Sequence, residues 1–479
     1  MRAKRTGDSS RFVDELDQAD WAFREFTQAP LVDRRLKKRL SLIAGDFARH
    51  PGAPIPQACG TVARREGAYR FLENDFVEPR QILVGHRQAT LGRLEREPVV
   101  LAVSDTTCFN YSHLPRTGGL GPIGTKGHPE LRGLWLHSTL TFNPKGVPLG
   151  LLAAEFWSRP PEPDTPRNPH QIAFEQKESV RWRNSWRACQ GALVQLHRPN
   201  LWVNVLDMEG DIYEVFAAAL ARTTPRVELL VRSEHNRNLL GQEQRLWEYL
   251  AQQPVSGTLQ VRVPRQSAQP ARLAVLEIRF SEVLVEAPSP KRRRPPLRLW
   301  GVAASEPFAP ANAEPILWRL VTTLPVTTAQ AAMEKVRWYA LRWGIEVFHK
   351  IIKSVCRAED SQLGTSQRLE RVLMIDLVVA WRTNVLTLVG RQHPDIPASD
   401  YFTNCEWKGL YTFIHRCRWV PIQAPDLGQM MFWIGQLGGF VKCKANPHPG
   451  PITLARGLSR LSDIAETWAI QNTCHEKCK

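Results

Sequence analysis

The sequence lacks the cysteine pairs and the long apolar runs of disulfide-rich, zinc-binding or membrane-spanning proteins. Its nine cysteines are scattered without a CxxC pair, which is typical of reduced thiols in a cytosolic protein. We find no apolar run near the ~20 residues that a bilayer-spanning helix needs. Residues 1–8 contain no apolar stretch of a secretion signal. We therefore expect a globular, cytoplasmic protein with no membrane partner.

Acidic residues are also fewer than basic residues. The chain has 63 Lys and Arg residues against 47 Asp and Glu residues, which gives a net charge of +16. This excess of positive charge indicates a polyanionic partner such as nucleic acid, although a basic soluble protein without such a partner would have the same balance. Because 479 residues exceed one ordinary hydrophobic core, we expect two to four domains.

Two apolar runs each end in an aspartate. Residues 98–104 lead into Asp105, and residues 201–206 lead into Asp207. Continuous apolar runs followed by helical segments predict an α/β core with buried strands. A single aspartate after a strand often only caps a turn. Two of them at strand ends, where α/β folds place their sites, are candidate functional residues.

Residues 339–354 carry a third carboxylate among cations. If this segment is one helix, at 100° per residue, four polar side chains fall within an arc of roughly 60°: Tyr339, Arg342, Glu346 and Lys353. Apolar side chains occupy the other face, as a buried helix face requires. One carboxylate between two cations favours a metal ligand beside a bound phosphate.

The three carboxylates can be combined into one site. Asp105, Asp207 and Glu346, if they converge, can hold two divalent cations on one scissile phosphate. Oxygen ligands favour two Mg²⁺ ions, with Mn²⁺ as a substitute. We therefore predict that these three residues are the catalytic metal ligands of a phosphoryl-transfer site.

The pattern along the chain predicts three domains. Residues 1–88 look like a helical DNA-binding domain, because residues 34–39 hold five cations in six positions and cations on a helix suit contacts with phosphates. A solvated helix face is the alternative. Residues 89–395 are predicted to form the catalytic domain, in which about 225–325 alternate at period two as a β-rich insertion. Residues 396–479 are predicted to form a helical domain.

The chain resembles the DDE transposases of the insertion-sequence-four family. The family signature is Tyr, two residues, Arg, three residues, Glu, six residues and Lys, and the segment from Tyr339 to Lys353 meets every spacing. Around Asp207 the match departs at Met208, where the family more often has Arg. Further matching strings are Ser104–Thr107 with Tyr111, Asp207–Tyr213, Glu66–Phe71 and Leu437–Phe440. The resemblance therefore covers nearly the whole chain.

This resemblance implies an RNase-H-like α/β catalytic core with a β-rich insertion, flanked by a helical DNA-binding domain and a helical dimerisation domain. It implies that Asp105, Asp207 and Glu346 are the metal triad. It also implies that three residues hold a phosphate of the non-transferred strand: Tyr339, Arg342 and Lys353. Finally, it implies that Trp318 stacks on a flipped base with Trp343 beside it. From the sequence pattern alone, Trp318 would be a core tryptophan in a strand.

Six further residues are candidate DNA contacts: Arg64, Arg70, Arg292, Arg293, His349 and Lys350. Arg64 and Arg70 have an alternative role, pairing with nearby glutamates. For His349 and Lys350 the alternative is a position facing solvent. For Arg292 and Arg293 the alternative is a general increase in the positive charge of a loop tip.

Together these features predict a cut-and-paste DNA transposase that acts as a homodimer on double-stranded DNA. It would bind inverted ends, nick them, form and open a hairpin, and join the 3′-OH ends to target DNA. One alternative is a metal-dependent DNA endonuclease without strand transfer. The other is a non-catalytic DNA-binding inhibitor, which the presence of all three carboxylates disfavours.

Overall fold

The computed structural model describes residues 21–124, 128–160, 172–197, 200–221, 225–263, 271–288, 294–311, 313–443 and 447–476. The strands are β1 (Val99–Asn110), β2 (Gly121–Pro122), β3 (Arg132–Phe142), β4 (Pro148–Trp157), β5 (Leu201–Leu206), β6 (Glu228–Arg232), β7 (Gly257–Val263), β8 (Arg272–Val285), β9 (Leu297–Ser305) and β10 (Leu317–Thr322).

The α-helices before the last strand are α1 (Trp21–Phe26), α2 (Arg34–Arg49), α3 (Ile55–Cys59), α4 (Val62–Glu73), α5 (Pro79–Leu94), α6 (Val180–Leu193), α7 (Tyr213–Leu220) and α8 (Leu246–Ala251). Those after it are α9 (Ala329–Ala340), α10 (Trp343–Ser354), α11 (Ser366–Gln392), α12 (Asn404–His415), α13 (Leu427–Leu437) and α14 (Pro451–Glu476). The chain is therefore a mixed α/β protein with a central sheet and helical regions on both sides of it in sequence.

Strand β1 is an interior strand of the sheet, between β3 and β5. It pairs antiparallel with β3 and parallel with β5, while β4 pairs antiparallel with β3 and β6 pairs parallel with β5. Residues 100–103 of β1 are fully buried, as the uninterrupted apolar run predicted. The register pairs Ser104 with Leu206, so the two candidate aspartates that follow these residues lie side by side. Asp207 directly follows β5, as predicted, but Asp105 does not end its strand, because pairing with β3 continues β1 to Asn110.

The sheet continues beyond β6 as antiparallel strands in the order β10, β9, β8 and β7. These strands confirm the period-two pattern read between residues 258 and 322. Strand β10 comes last in sequence but pairs with β6, so the chain returns to the middle of the sheet before α9 begins. The domain boundaries proposed from the sequence stay predictions.

The two faces of β1 pack against different partners. Leu101 and Val103 belong to a core that includes α10 and α11, whereas Val100 and Ala102 pack with Trp186 of α6. Helix α11 agrees with the expectation of no long uninterrupted apolar run, since Asp376 and Arg382 divide it, but as a whole it resembles a membrane span. By length and composition it would qualify, but 89% of its apolar window is buried inside the protein. Its apolar character therefore serves the core.

The structure also corrects the single helix predicted over residues 339–354. Helix α9 ends at Ala340 and α10 begins at Trp343. Between them, the amide of Leu341 donates to the Trp338 carbonyl (3.2 Å) and that of Arg342 donates to the Tyr339 carbonyl (2.9 Å). These three-residue hydrogen bonds wind the chain more tightly than an α-helix. Residues 10–20 of the predicted N-terminal helical stretch lie outside the described residues.

Candidate active site

The two aspartates are held by neighbouring parallel strands. Asp105 lies within β1, and Asp207 is the first residue after β5. The backbone amide of Thr106 donates to Asp105 Oδ1 (2.8 Å), which fixes that carboxylate. Both side chains remain partly exposed, at 18% for Asp105 and 25% for Asp207. The site is therefore open enough for a ligand to reach both carboxylates.

Arg342 joins these aspartates to the third carboxylate. Its Nη1 lies 3.4 Å from Asp105 Oδ2 and 3.5 Å from Asp207 Oδ2. Its Nη2 donates to Glu346 Oε1, one turn further along the chain. Two carboxylate oxygens in contact with one nitrogen lie within about 7 Å of each other. All three carboxylates predicted from the sequence therefore meet at one guanidinium group.

Burial and charge act against each other at this site. Burial raises the pKa of Asp105 to about 6, although the Arg342 guanidinium acts to lower it. Burial by itself would lower the pKa of Arg342, but the surrounding negative charges, Asp207 above all, leave it raised. Burial also raises the pKa of Tyr339, whose hydroxyl donates to Asp207 Oδ1 (3.1 Å). Arg342 therefore stays charged and Tyr339 stays a neutral donor at neutral pH.

The three carboxylates resemble a metal-binding donor set in their chemistry. Three carboxylates supply the hard oxygen ligands that Mg²⁺ and Mn²⁺ prefer. Within the described part of the chain, no group of three or more His, Cys, Asp or Glu side chains is placed to hold a metal ion, and the Arg342 guanidinium lies among the three carboxylates. The residues thus fit such ions by chemistry, provided that Arg342 shifts.

A cavity of about 670 Å³ adjoins this cluster. Trp318, Tyr339, Arg342 and Trp343 line it. The Trp318 and Tyr339 rings meet edge to face, with centroids 5.4 Å apart, and Trp343 is 47% exposed. The two tryptophans named from the sequence are therefore brought to one cavity beside the carboxylates.

Four arginines that line this cavity were missed in the sequence, and Arg232 and Arg319 are two of them. Arg232 ends β6, and Arg319 lies in β10 with its guanidinium over the Trp247 ring (4.4 Å to the centroid). No motif marked them, because only the pairing of β10 with β6 brings them together. They add positive charge to the wall of the cavity.

The other predicted residues of helix α10 lie in different environments. Lys353 Nζ lies 5.6 Å from the centroid of the Phe109 ring, further along β1 than Asp105, and Lys350 is exposed. His349 does not face DNA as predicted. It is buried, with Nε2 2.9 Å from Ser138 Oγ, and burial lowers its pKa to about 3. The reason is that α10 turns this residue onto β3 of the sheet.

The N-terminal candidates both form ion pairs. Arg64 Nη1 donates to Asp46 Oδ1 (2.5 Å), a partner that was not anticipated. Arg70 pairs with Glu66 (3.0 Å), and both side chains are exposed. Exposed pairs contribute only about 0–1 kcal/mol, so Arg70 can exchange Glu66 for a phosphate. The predicted contacts at positions 292 and 293 (Arg292 and Arg293) lie outside the described residues.

Comparison with known protein families gives two matches, one toward each end of the chain. Residues 18–77, which include α1 to α4, match the family model described as transposase DNA-binding. Residues 378–475, from the middle of α11 through most of α14, match the model described as the dimerisation domain of the Tn5 transposase. Together with the basic charge of the chain, these matches support a transposase similar to that of Tn5, a DNA-binding protein that forms homodimers.

Proposed function

We propose that this protein is a cut-and-paste DNA transposase of the DDE type, from the insertion-sequence-four family. The observation that carries the proposal is the convergence of Asp105, Asp207 and Glu346 on one guanidinium group. Three acidic side chains from distant parts of a basic chain stay together only if their shared negative charge is compensated. We assign this arrangement to phosphoryl transfer on DNA.

The strand order supports an RNase-H-like catalytic core. Strands β4, β3 and β1 are antiparallel neighbours, and β5 and β6 follow in parallel. The first carboxylate lies on the central strand and the second directly after its parallel neighbour. Strands β7 to β10 fall between the second and third carboxylates in sequence, which agrees with a β-rich insertion at that point.

Asp105, Asp207 and Glu346 would hold two Mg²⁺ ions, for which Mn²⁺ can substitute, and such ions activate an attacking hydroxyl and stabilise a leaving oxygen. Arg342 has the complementary task. In the structure it neutralises the carboxylates, and on DNA it would turn to a phosphate, a group whose geometry suits guanidinium.

Tyr339 and Arg342 are positioned to bind that phosphate together. The Tyr339 hydroxyl is a neutral donor beside Arg342, and Lys353 extends the positive charge along β1. We propose that these three side chains hold a phosphate of the non-transferred strand. Arg232 and Arg319 would contribute charge from the other side of the cavity.

The adjoining cavity supports a role in hairpin formation. Trp318 and Trp343 line it next to the phosphate-binding residues, so a base turned out of the duplex could stack on an indole ring. Base–aromatic stacking contributes about 1–3 kcal/mol per base, which offsets much of the cost of unstacking. We propose that the cavity receives the flipped base while the 3′ hydroxyl attacks the opposite strand.

The other regions would supply DNA ends and a second subunit. We propose that α2 and α4, within the matched DNA-binding region, grip the inverted ends. The matched dimerisation region would pair two ends in a homodimer. Nicking, hairpin formation, hairpin opening and joining to target DNA are all phosphoryl transfers, so one site suffices. Because binding would rest on phosphate contacts, it should weaken steeply with salt.

The proposal is tested by removing single carboxylates. Asp207→Ala and Glu346→Ala should abolish Mg²⁺-dependent nicking of an end duplex while end binding stays measurable. Glu209→Gln is the matched control, because Glu209 is an exposed carboxylate two residues from Asp207 and should leave nicking unchanged. Nicking at the wild-type rate by either alanine variant would overturn the assignment of the triad.

Transfer of a labelled 3′-OH end into a plasmid separates the transposase from its two rivals. A nuclease with the same core would cut the end duplex and yield no joined product. A non-catalytic inhibitor would bind the ends and neither cut nor join them. The proposed function requires both nicked and joined products from the wild-type protein.

A further inference from the structure

One buried hydrogen bond joins helix α10 to strand β3. His349 Nε2 of α10 lies 2.9 Å from Ser138 Oγ of β3. Both residues are buried, with Ser138 at 0% and His349 at 6% exposure. A buried polar group that loses its only partner pays the full cost of its lost hydration. This contact therefore holds α10 against the sheet at one defined point.

The two partners are neighbours of two of the three carboxylates. Ser138 lies directly opposite Asp105 in the antiparallel pairing of β1 with β3. Residues that face each other in this way share one face of the sheet, with Cβ atoms about 4.5–5.5 Å apart. His349 follows Glu346 by three residues on α10, so the two side chains lie about 60° apart around the helix axis. The hydrogen bond therefore connects the surroundings of the first carboxylate to those of the third.

A second contact fixes the beginning of α10 on the same strand. A Cβ atom on Gly344 would lie only 2.8 Å from the Phe142 ring, so a larger residue there would displace the ring or the helix. Gly344 precedes Glu346 by two residues, and His349 follows it by three. Glu346 is therefore carried on a helical segment that contacts β3 on both sides of it.

The apolar contacts of α10 set its position less sharply than this hydrogen bond does. Ile345, Phe348 and Ile352 are fully buried in the core, but apolar burial is not directional. A hydrogen bond weakens steeply as its geometry departs from the preferred one. A functional group must be held within about 0.5 Å and 10–20° of its productive position. The directional contact is therefore the one that can set where the Glu346 carboxylate points.

We propose that Ser138 and His349 are positioning residues, which hold Glu346 at the correct place beside Asp105 for shared metal binding. In this role neither side chain touches DNA or the reacting atoms. The inference rests on the proposed function, because it concerns the same carboxylate site. It gives His349 a task different from the DNA contact predicted from the sequence.

The test measures metal binding and nicking separately. Mn²⁺ is titrated by electron paramagnetic resonance on the full-length protein bound to a pre-cleaved end duplex with a 3′-deoxy terminus, on which no reaction can proceed. Nicking of an intact end duplex is measured against Mg²⁺ concentration in single-turnover gels. Residues that orient metal ligands typically contribute about 10–100-fold in metal affinity or activity. Ser138→Ala and His349→Leu should each weaken Mn²⁺ binding about tenfold, and should raise the Mg²⁺ concentration for half-maximal nicking by a similar factor.

A matched control separates positioning from a loss of stability. The Thr141 hydroxyl is also buried in β3 and donates to the Gly150 carbonyl (2.7 Å). It lies on the other face of the sheet, because Thr141 pairs with Ala102, which packs toward α6. Thr141→Val should therefore lose stability in urea titrations, as Ser138→Ala does, and keep the Mn²⁺ affinity of the wild type.

Two further variants test the hydrogen bond itself. His349→Gln places an amide near the position of Nε2 and should retain most of the Mn²⁺ affinity that His349→Leu loses. The double variant Ser138→Ala with His349→Leu should bind Mn²⁺ no more weakly than either single variant, because the second change removes a contact already lost. If His349→Leu does not fold, Ser138→Ala and His349→Gln decide.

The outcomes distinguish this inference from the proposed function. A wild type that nicks and binds Mn²⁺, with Ser138→Ala and His349→Leu no weaker in Mn²⁺ binding than Thr141→Val, would overturn the positioning role and leave the proposed function intact. Losses that multiply in the double variant would also overturn it, since the two residues would then act apart. A wild type that neither nicks nor binds Mn²⁺ would overturn both.

Discussion

Replacing Arg342 with glutamine tests whether one guanidinium group holds the three carboxylates together. Glutamine removes the positive charge and keeps a polar side chain of moderate length. In buffer containing EDTA, no divalent cation can take over the compensation of charge. We therefore expect Arg342→Gln to lower the free energy of unfolding, because Asp105, Asp207 and Glu346 would then repel one another.

The size of the effect follows from the contacts. Unit charges 3.5 Å apart interact by roughly 5 kcal/mol at an effective dielectric constant of about 20, and burial of the guanidinium group offsets part of this gain. Removing one partner of a buried ion pair typically costs about 3–5 kcal/mol. The three carboxylate side chains keep 18–32% exposure, so water screens some of the charge. We expect a loss of about 2–4 kcal/mol at pH 7.5.

Urea denaturation provides the measurement. Arg337→Gln is the matched control, since Arg337 is an exposed arginine on the neighbouring helix α9 and should change stability by less than about 0.5 kcal/mol. In a double-mutant cycle, Asp207→Asn should relieve at least about 1 kcal/mol of the loss caused by Arg342→Gln. If Arg342→Gln is as mild as the control, the guanidinium group does not bring these carboxylates together.

Three further predictions concern other parts of the molecule. Trp318→Ala should slow hairpin formation about 5- to 100-fold, in line with the stacking free energy of about 1–3 kcal/mol, and should slow first-strand nicking much less in single-turnover gels; equal loss in both steps would make Trp318 a residue of the fold alone. The pKa of His349 is about 3 in the folded protein, so only the unfolded chain takes up a proton as the pH falls below about 6.5. At pH 5 this uptake lowers the free energy of unfolding by about 2 kcal/mol. His349→Gln should therefore lose less stability than the wild type between pH 7.5 and pH 5 in urea titrations. Identical losses of stability would contradict the buried neutral imidazole. Arg371→Met should destabilise the protein by about 2–4 kcal/mol, because the buried guanidinium group donates to the carbonyls of Val77 (2.7 Å) and Leu72 (2.6 Å); hydrogen exchange at residues 72–77 should rise, and unchanged exchange would rule out this anchoring role.

The two buried runs could be predicted because their pattern is local, whereas the end of β1 could not, since pairing with β3 carries that strand past Asp105 to Asn110. The apolar runs before Asp105 and Asp207 are short, uninterrupted and followed by polar residues, which is what strands buried on both faces require. The register between β1 and β5 then follows from burying both runs together. The observed pairing of Ser104 with Leu206 is therefore close to what hydrophobic burial alone would select.

The break between α9 and α10 could not be predicted from helical periodicity. The segment from Tyr339 to Trp343 contains neither proline nor glycine. Both Leu341 and Arg342 keep right-handed helical backbone angles. The tighter winding becomes visible only in the three-residue hydrogen bonds. It turns Arg342 onto three carboxylates, two of which lie more than 130 residues earlier in the chain.

The partners of individual polar side chains were the least predictable feature. His349 looks like a surface residue next to Lys350, yet it is buried against Ser138, 211 residues earlier in sequence. Arg64 pairs with Asp46 of another helix, and not with a glutamate close to it in sequence. Such contacts depend on how helices and sheet pack, which a single sequence does not reveal.

The most direct test of the central claim is to count the Mn²⁺ ions bound by the protein on its end duplex, by electron paramagnetic resonance. The proposal predicts two ions per protomer in the wild type and a loss of binding in each of Asp105→Asn, Asp207→Asn and Glu346→Gln, with Glu209→Gln unchanged. If all three variants kept the Mn²⁺ binding of the wild type, these carboxylates would not form a metal site.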